Sequence, residues 1–237
     1  MDSTEKPGVG VTSQMALQAD GLAKDYGEGF GLSPLDLEVT SGELVLLVGH
    51  NGSGKSTFLG LAAGLLEATE GEVQIVGAPA DSVPARIGRS YLPDQPILYD
   101  DLTLWEHIAY NAALHRTPDW EDAAVEQLEA FRLMDRVDGL PAKFSRGMRQ
   151  KAAIVIGLVR PFRLLLIDEP FLGIDATGQD TLVDILQTLA SIDVAVVVST
   201  HHSNITDIAT RCVGLSDGEL VYDGKPDPET IRKIVNG

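Results

Sequence analysis

Nine consecutive residues carry the clearest chemistry in the chain, Gly49-His-Asn-Gly-Ser-Gly54-Lys55-Ser56-Thr57. They fit the pattern G-x-x-x-x-G-K-[ST] in full, the spacing of a loop that wraps a polyphosphate. Glycines let the backbone curl and aim N–H groups at phosphate oxygens, and a helix starting at the end of the loop adds partial positive charge. Gly49, Asn51, Gly52, Ser53, Gly54, Lys55, Ser56 and Thr57 are therefore the candidate phosphate-binding residues. Lys55 would reach the outer phosphates and Ser56 would offer its hydroxyl to Mg²⁺. A second group, Asp168-Glu169, closes the run Leu164-Leu-Leu-Ile167 and precedes Pro170. Asp168 would hold the shell of the cation, and Glu169 would take a proton from an attacking water. Either feature alone also fits a plain turn or strand end. Together they describe a site that hydrolyses a nucleotide.

Those residues need strands to present them. Glu43-Leu-Val-Leu-Leu-Val48, Leu164–Ile167 and Val194–Ser199 are apolar without alternation, the pattern of a parallel sheet covered on both faces. Chemistry at strand carboxyl ends is what that architecture leads one to expect. A helix is expected from Thr57 to about Leu66. Residues 15–42 alternate loosely through Leu35, Leu37 and Val39, which predicts short antiparallel strands at an edge. Leu102–His115 and Glu121–Met134 are helical in pattern, with Pro118 between them, and suggest a helical insertion in the α/β core.

Composition removes several classes. The 237 residues include 35 acidic and 18 basic side chains, a formal charge of −17, which disfavours wrapping a nucleic-acid backbone. With 44% hydrophobic and 22% charged residues the chain is expected to fold. The single Cys212 allows no internal disulfide, which fits a cytosolic setting. No apolar run approaches the roughly 18–20 residues of a membrane span, and no signal-peptide pattern leads the chain. Residues 1–14 read as a flexible polar tail.

Phe144-Ser145-Arg146-Gly147-Met148-Arg149-Gln150-Lys151, ahead of an apolar helix from Ala152 to Val159, separates this chain from other nucleotide hydrolases. Here the sequence resembles the ATP-binding cassette (ABC) family, whose signature usually reads L-S-G-G-Q. The resemblance covers about residues 15–225. It implies an α/β fold: a P-loop NTPase core with a mostly parallel sheet, an antiparallel β edge subdomain and an inserted α-helical subdomain at about 97–160. The ATP-binding domain would span 15–237. In that family two domains pair head to tail, so Ser145 and Gly147 would close over the γ-phosphate held by the other subunit. Ser145 as a simple helix cap is the plainer alternative. Phe144, Arg146 and Met148 depart from the usual signature and resemble a variant found among exporters.

The resemblance assigns further positions. Tyr26, in Lys24-Asp25-Tyr26-Gly27, would stack on adenine, although Tyr before Gly also starts ordinary turns. Asp175, in Leu172-Gly173-Ile174-Asp175, would contact the opposite subunit. His201 would sense the γ-phosphate and act in catalysis beside Glu169 and Lys55; His201-His202 could otherwise be a weak metal site or plain surface. The family places a Gln near residue 94 that reaches the metal. In Tyr91-Leu-Pro-Asp94-Gln95-Pro96 either Asp94 or Gln95 fills that slot. The metal set is then Ser56, Asp168 and Asp94 or Gln95.

The implied function is the ATP-binding, ATP-hydrolysing subunit of an ABC transporter, with ATP and Mg²⁺ as cofactors. Its partners would be a transmembrane permease on a separate chain and a second ATP-binding subunit, with no nucleic acid. It would sit in the cytoplasm, peripheral to the inner face of the membrane through that permease, and serve an exporter rather than an importer. The alternative is a soluble cassette ATPase of a cytosolic assembly, translation or repair complex. A GTPase would need an Asn-Lys-x-Asp segment, which the chain lacks.

Overall fold

The computed structural model describes residues 14–27, 30–200 and 205–236. Most of the tail assigned to residues 1–14 lies outside these, and so does His201.

The three apolar runs form β3 (Leu44–Val48), β7 (Leu164–Asp168) and β8 (Ala195–Ser199), every residue of which is buried. With β6 (Arg89–Leu92), β9 (Arg211–Ser216) and β10 (Glu219–Gly224) they make a six-stranded sheet in the order β10-β9-β3-β8-β7-β6. All neighbours are parallel except the edge hairpin β9–β10. Continuous apolarity follows from burial on both faces. Leu44, Leu46 and Val48 join one core, while Val45 and Leu47 face the other. In register, Leu47 pairs with Ser199, and Ser199 pairs with Asp168. The glycine-rich loop, Asp168 and Ser199 thus lie together at the carboxyl ends of three adjacent central strands.

The loosely alternating segment is longer and more independent than its sequence suggests. β1 (Met15–Gly27) and β2 (Phe30–Thr40) are strands of 13 and 11 residues, in a separate antiparallel sheet, β2-β1-β4-β5, with β4 (Glu70–Ile75) and β5 (Ala78–Pro79). Register shifts along β1 break its alternation and hide its length. α1 (Lys55–Ala62) buries Phe58, Leu59 and Leu61 in the core shared by the two sheets. It ends short of the expected Leu66. A short α2 (Val83–Gly88) leads into β6.

The helical insertion is α3 (Leu104–His115), α4 (Trp120–Ala130) and α5 (Arg146–Leu158), with two 3₁₀ turns between α4 and α5. Thr103 and Glu106 cap α3 reciprocally, and Arg116 and Asp119, both in left-handed conformation, bracket the break at Pro118. The helix expected from Ala152 begins six residues earlier, because Ser145 caps it. α6 (Ala176–Ser191) and α7 (Pro228–Asn236) complete the helical side of the sheet.

Candidate active site

The glycine-rich loop leaves β3 and enters α1, and two of its glycines are required by close approach or backbone conformation. A Cβ on Gly49 would lie 2.2 Å from Ser53 Oγ and 2.3 Å from the Leu215 carbonyl oxygen. Gly54 caps α1 with φ 104°, a left-handed conformation that a side chain would strain. Lys55 is 7% exposed, and its ammonium donates to the carbonyl oxygens of Gly49 (2.8 Å) and His50 (3.1 Å). Burial pulls its pKa below 10.5, and the charges of Glu169 and Asp168 act the other way.

Asp168 is 2% exposed at the end of β7. The Ser199 hydroxyl donates to Asp168 Oδ1, and the Ser199 hydroxyl oxygen accepts the Glu169 N–H at 3.2 Å. The Ser199 carbonyl accepts that N–H too, at 3.0 Å. Glu169 itself is left-handed, φ 43°. One hydroxyl therefore orients the carboxylate and the turn that follows it. Sequence reasoning assigned Ser199 no role; its one signal was a polar residue closing an otherwise apolar strand.

These elements enclose a cleft of about 530 Å³ lined by Asn51 to Thr57, Tyr26, Gly31, Asp94, Asp168, Glu169 and Leu172. Tyr26 stands 56% exposed at the rim, with the Lys24 ammonium 5.5 Å from its ring centre. Asp94 lies in this cleft. Gln95 is not among its lining residues; it shares an adjacent groove with Asp94, Arg146, Arg149 and Gln150. Of the two, Asp94 is the one that borders the phosphate cleft.

Ser145 and Gly147 are not among the cleft-lining residues. Ser145 is exposed and accepts the Met148 N–H at 3.3 Å as the cap of α5. Gly147 packs so tightly on the next loop that a Cβ would sit 2.1 Å from the Gly173 carbonyl oxygen. Asp175 caps α6 by accepting the Gly178 N–H (2.9 Å) and pairs with Lys151 at 2.8 Å. That bond, the bond from Gly178 and the Lys151 charge hold its carboxyl below 3.8.

The family profile described as ABC transporter matches residues 32–172, more than half the chain and spanning the loop, the capped helix and Asp168. The chain belongs to the ABC transporter family. It is 30% identical over 210 residues to the SkfA peptide export ATP-binding protein SkfE of Bacillus subtilis (strain 168), covering 87% of this chain and 88% of that protein. It is 32% identical over 211 residues to the aliphatic sulfonates import ATP-binding protein SsuB of a Pseudomonas putida strain, covering 87% and 75%. A solved ATP-binding subunit of an ABC transporter superposes with TM-score 0.85 at 31% identity, covering 92% of each chain. A dimeric ATP-binding cassette in a post-hydrolysis state, bound to ADP and Pi, gives TM-score 0.81 at 26% identity over 89% of this chain and 99% of that one.

As an ABC cassette the chain is an ATP-hydrolysing enzyme, and its cleft suits a Mg²⁺-bound nucleotide. The Ser53 hydroxyl is fully buried at the cleft wall with no hydrogen-bond partner. The Ser56 hydroxyl and the Asp168 carboxylate are hard oxygen donors, the kind Mg²⁺ takes. No described helix of this cassette is long and apolar enough to cross a membrane.

Proposed function

We propose that the chain drives a separate transmembrane permease by closing, with a second ATP-binding subunit, on Mg²⁺-ATP and reopening after hydrolysis. The observation that carries this reading is the separation of the two half-sites. Lys55, Ser56, Asp168 and Glu169 line one cleft, while Ser145 and Gly147 line none of it and are presented elsewhere on the same chain. A cassette whose signature lies outside its own phosphate cleft needs a second cassette to use it. The solved dimer of a related cassette supports that arrangement.

In this mechanism the loop amides and Lys55 bind the phosphates, and Tyr26 stacks on the adenine. Lys55 gives up its carbonyl contacts at Gly49 and His50 to reach the outer phosphates. Ser56 and Asp168, with Asp94 nearby, would hold Mg²⁺, which would supply positive charge against the phosphates. Glu169, positioned through Ser199, accepts the proton of the attacking water at its carboxylate. His201 orients that water, and Ser145 and Gly147 of the partner subunit donate to the γ-phosphate. Asp175 places its loop against the partner. The ATP-binding domain is taken as residues 15–237, with a helical subdomain at about 97–160.

The permease would dock against the start of that subdomain. Ile97, Tyr99, Tyr110 and Leu114 are large apolar side chains left open to solvent in and just before α3, with the Tyr99 and Tyr110 rings in edge contact. The relatives include an export subunit and an import subunit, and export is preferred on the signature variant Phe144-Ser-Arg-Gly-Met148. Attachment to the cytoplasmic membrane face follows from that docking. Glu169→Gln is the direct test: turnover should vanish while ATP holds a stable dimer in size-exclusion chromatography. Hydrolysis near the original rate would show that Glu169 is not the base.

A further inference from the structure

Among the residues lining the phosphate cleft, three carboxylates, Asp94, Asp168 and Glu169, face one ammonium, Lys55. Two of the three have recognisable company. Asp168 is held by the Ser199 hydroxyl, and the charges of both Asp168 and Glu169 are felt by Lys55. Asp94 is different. It is exposed, and no hydrogen bond or ion pair with any described residue engages it. Its field nonetheless reaches the same corner: the Tyr91 hydroxyl is pushed up to about 12 by burial, then by the charges of Asp168 and Asp94. Ser53, which also lines the cleft, has a buried hydroxyl with no hydrogen-bond partner among the described residues.

A triphosphate entering without a cation meets a cleft of net negative charge, and Asp94 supplies the part of it that nothing neutralises. A cation arriving with the phosphates reverses the sign of that interaction, because the free carboxylate then faces a positive centre. We propose that Asp94 makes the cleft selective for the Mg²⁺ complex of the nucleotide, excluding free nucleotide and expelling ADP once its cation has gone. This rests on the ATP-binding reading above and adds a specificity and release device to it. An amide at this position would lack that device, since it carries no charge to repel bare phosphates.

The test is equilibrium binding of fluorescent ATP and ADP analogues to the wild-type chain, Asp94→Asn and Asp94→Glu, each with excess Mg²⁺ and with EDTA. One charge acting on several phosphate charges across a solvent-open cleft is worth about tenfold in affinity. The ratio of the two dissociation constants should therefore fall about tenfold in Asp94→Asn, through tighter binding of the free nucleotide, and persist in Asp94→Glu. Stopped-flow mixing with EDTA should release ADP rapidly from the wild type and about tenfold more slowly from Asp94→Asn. Because Asp94 has no partners, its substitution leaves folding intact, to be checked by circular dichroism. A ratio within twofold of wild type, with Mg²⁺-nucleotide binding normal in both, would overturn this inference alone. A wild-type chain that binds no nucleotide even with Mg²⁺ would bring down the ATPase reading as well.

Discussion

Ser199→Ala isolates the hydroxyl on which the orientation of Asp168 depends. Ser199 is fully buried, and Asp168 is 2% exposed, so water cannot replace the lost donor. The Glu169 N–H still has the Ser199 carbonyl at 3.0 Å, which alanine keeps. The loss therefore falls on one charge-assisted hydrogen bond to a buried carboxylate, worth about 2 kcal/mol. For a chain of this size the urea m-value is about 3 kcal/mol/M, so the unfolding midpoint should drop by about 0.7 M. The assay is urea unfolding followed by tryptophan fluorescence and circular dichroism, with coincident transitions required. In an Asp168→Asn background the same substitution should cost much less, giving a coupling energy of about 1 kcal/mol or more. A midpoint shift below about 0.2 M, or no coupling, would refute the claim that Ser199 holds the carboxylate in place.

Gly147→Ala would place its Cβ 2.1 Å from a backbone carbonyl oxygen, so either α5 or the loop at Gly173 must move. A loss of about 1–3 kcal/mol is expected from urea unfolding, and the ATP-held dimer of Glu169→Gln should weaken when the two changes are combined. Asp175 should titrate below 3.8 in the folded chain, as read by NMR, and Lys151→Met should bring it back toward that value. A depressed acid contributes stability that is present above 3.8 and lost as pH falls through the folded value. Because 68% of its side chain stays in water, the pKa rather than the melting temperature is the sensitive readout.

The strands of the parallel sheet were legible because burial on both faces writes itself as an unbroken apolar run, as in Leu44–Val48. The phosphate loop was legible because glycine spacing and a lysine at the helix start are local requirements. What depended on distant partners was not. β9 reads Arg-Cys-Val-Gly-Leu-Ser, and only pairing with β3 marks it as central. Arg160 shows the same limit. Its guanidinium is buried and satisfied by carbonyls at residues 86, 87, 89 and 161, and burial with the nearby Arg89 charge lowers its pKa to about 10. No local pattern announces that a basic residue will tie β6 to the end of α5. Asp94 and Gln95 are adjacent in sequence, and only the path of the loop after Leu92 makes Asp94 border both the phosphate cleft and the groove beside it while Gln95 borders the groove alone.

The plain and the functional reading of Ser145 are compatible for a reason visible in the cap itself. Capping uses the hydroxyl oxygen as an acceptor, from the Met148 N–H at a long 3.3 Å. The role proposed for Ser145 uses the hydroxyl as a donor, toward a phosphate held by another subunit. A hydroxyl has one proton to give and two lone pairs to receive, so the cap uses a lone pair and leaves the proton available to donate. The first turn of α5 also leaves backbone N–H groups without helical acceptors. Gly147 keeps that turn seated against Gly173, and Lys151, one turn further along α5, grips Asp175 at the end of the same loop. The signature helix and the loop after Glu169 are thereby joined at both ends. The proton transfer proposed at Glu169 and the phosphate contact proposed at Ser145 would then act on one connected piece of backbone, the coupling that the proposed reopening of the dimer requires.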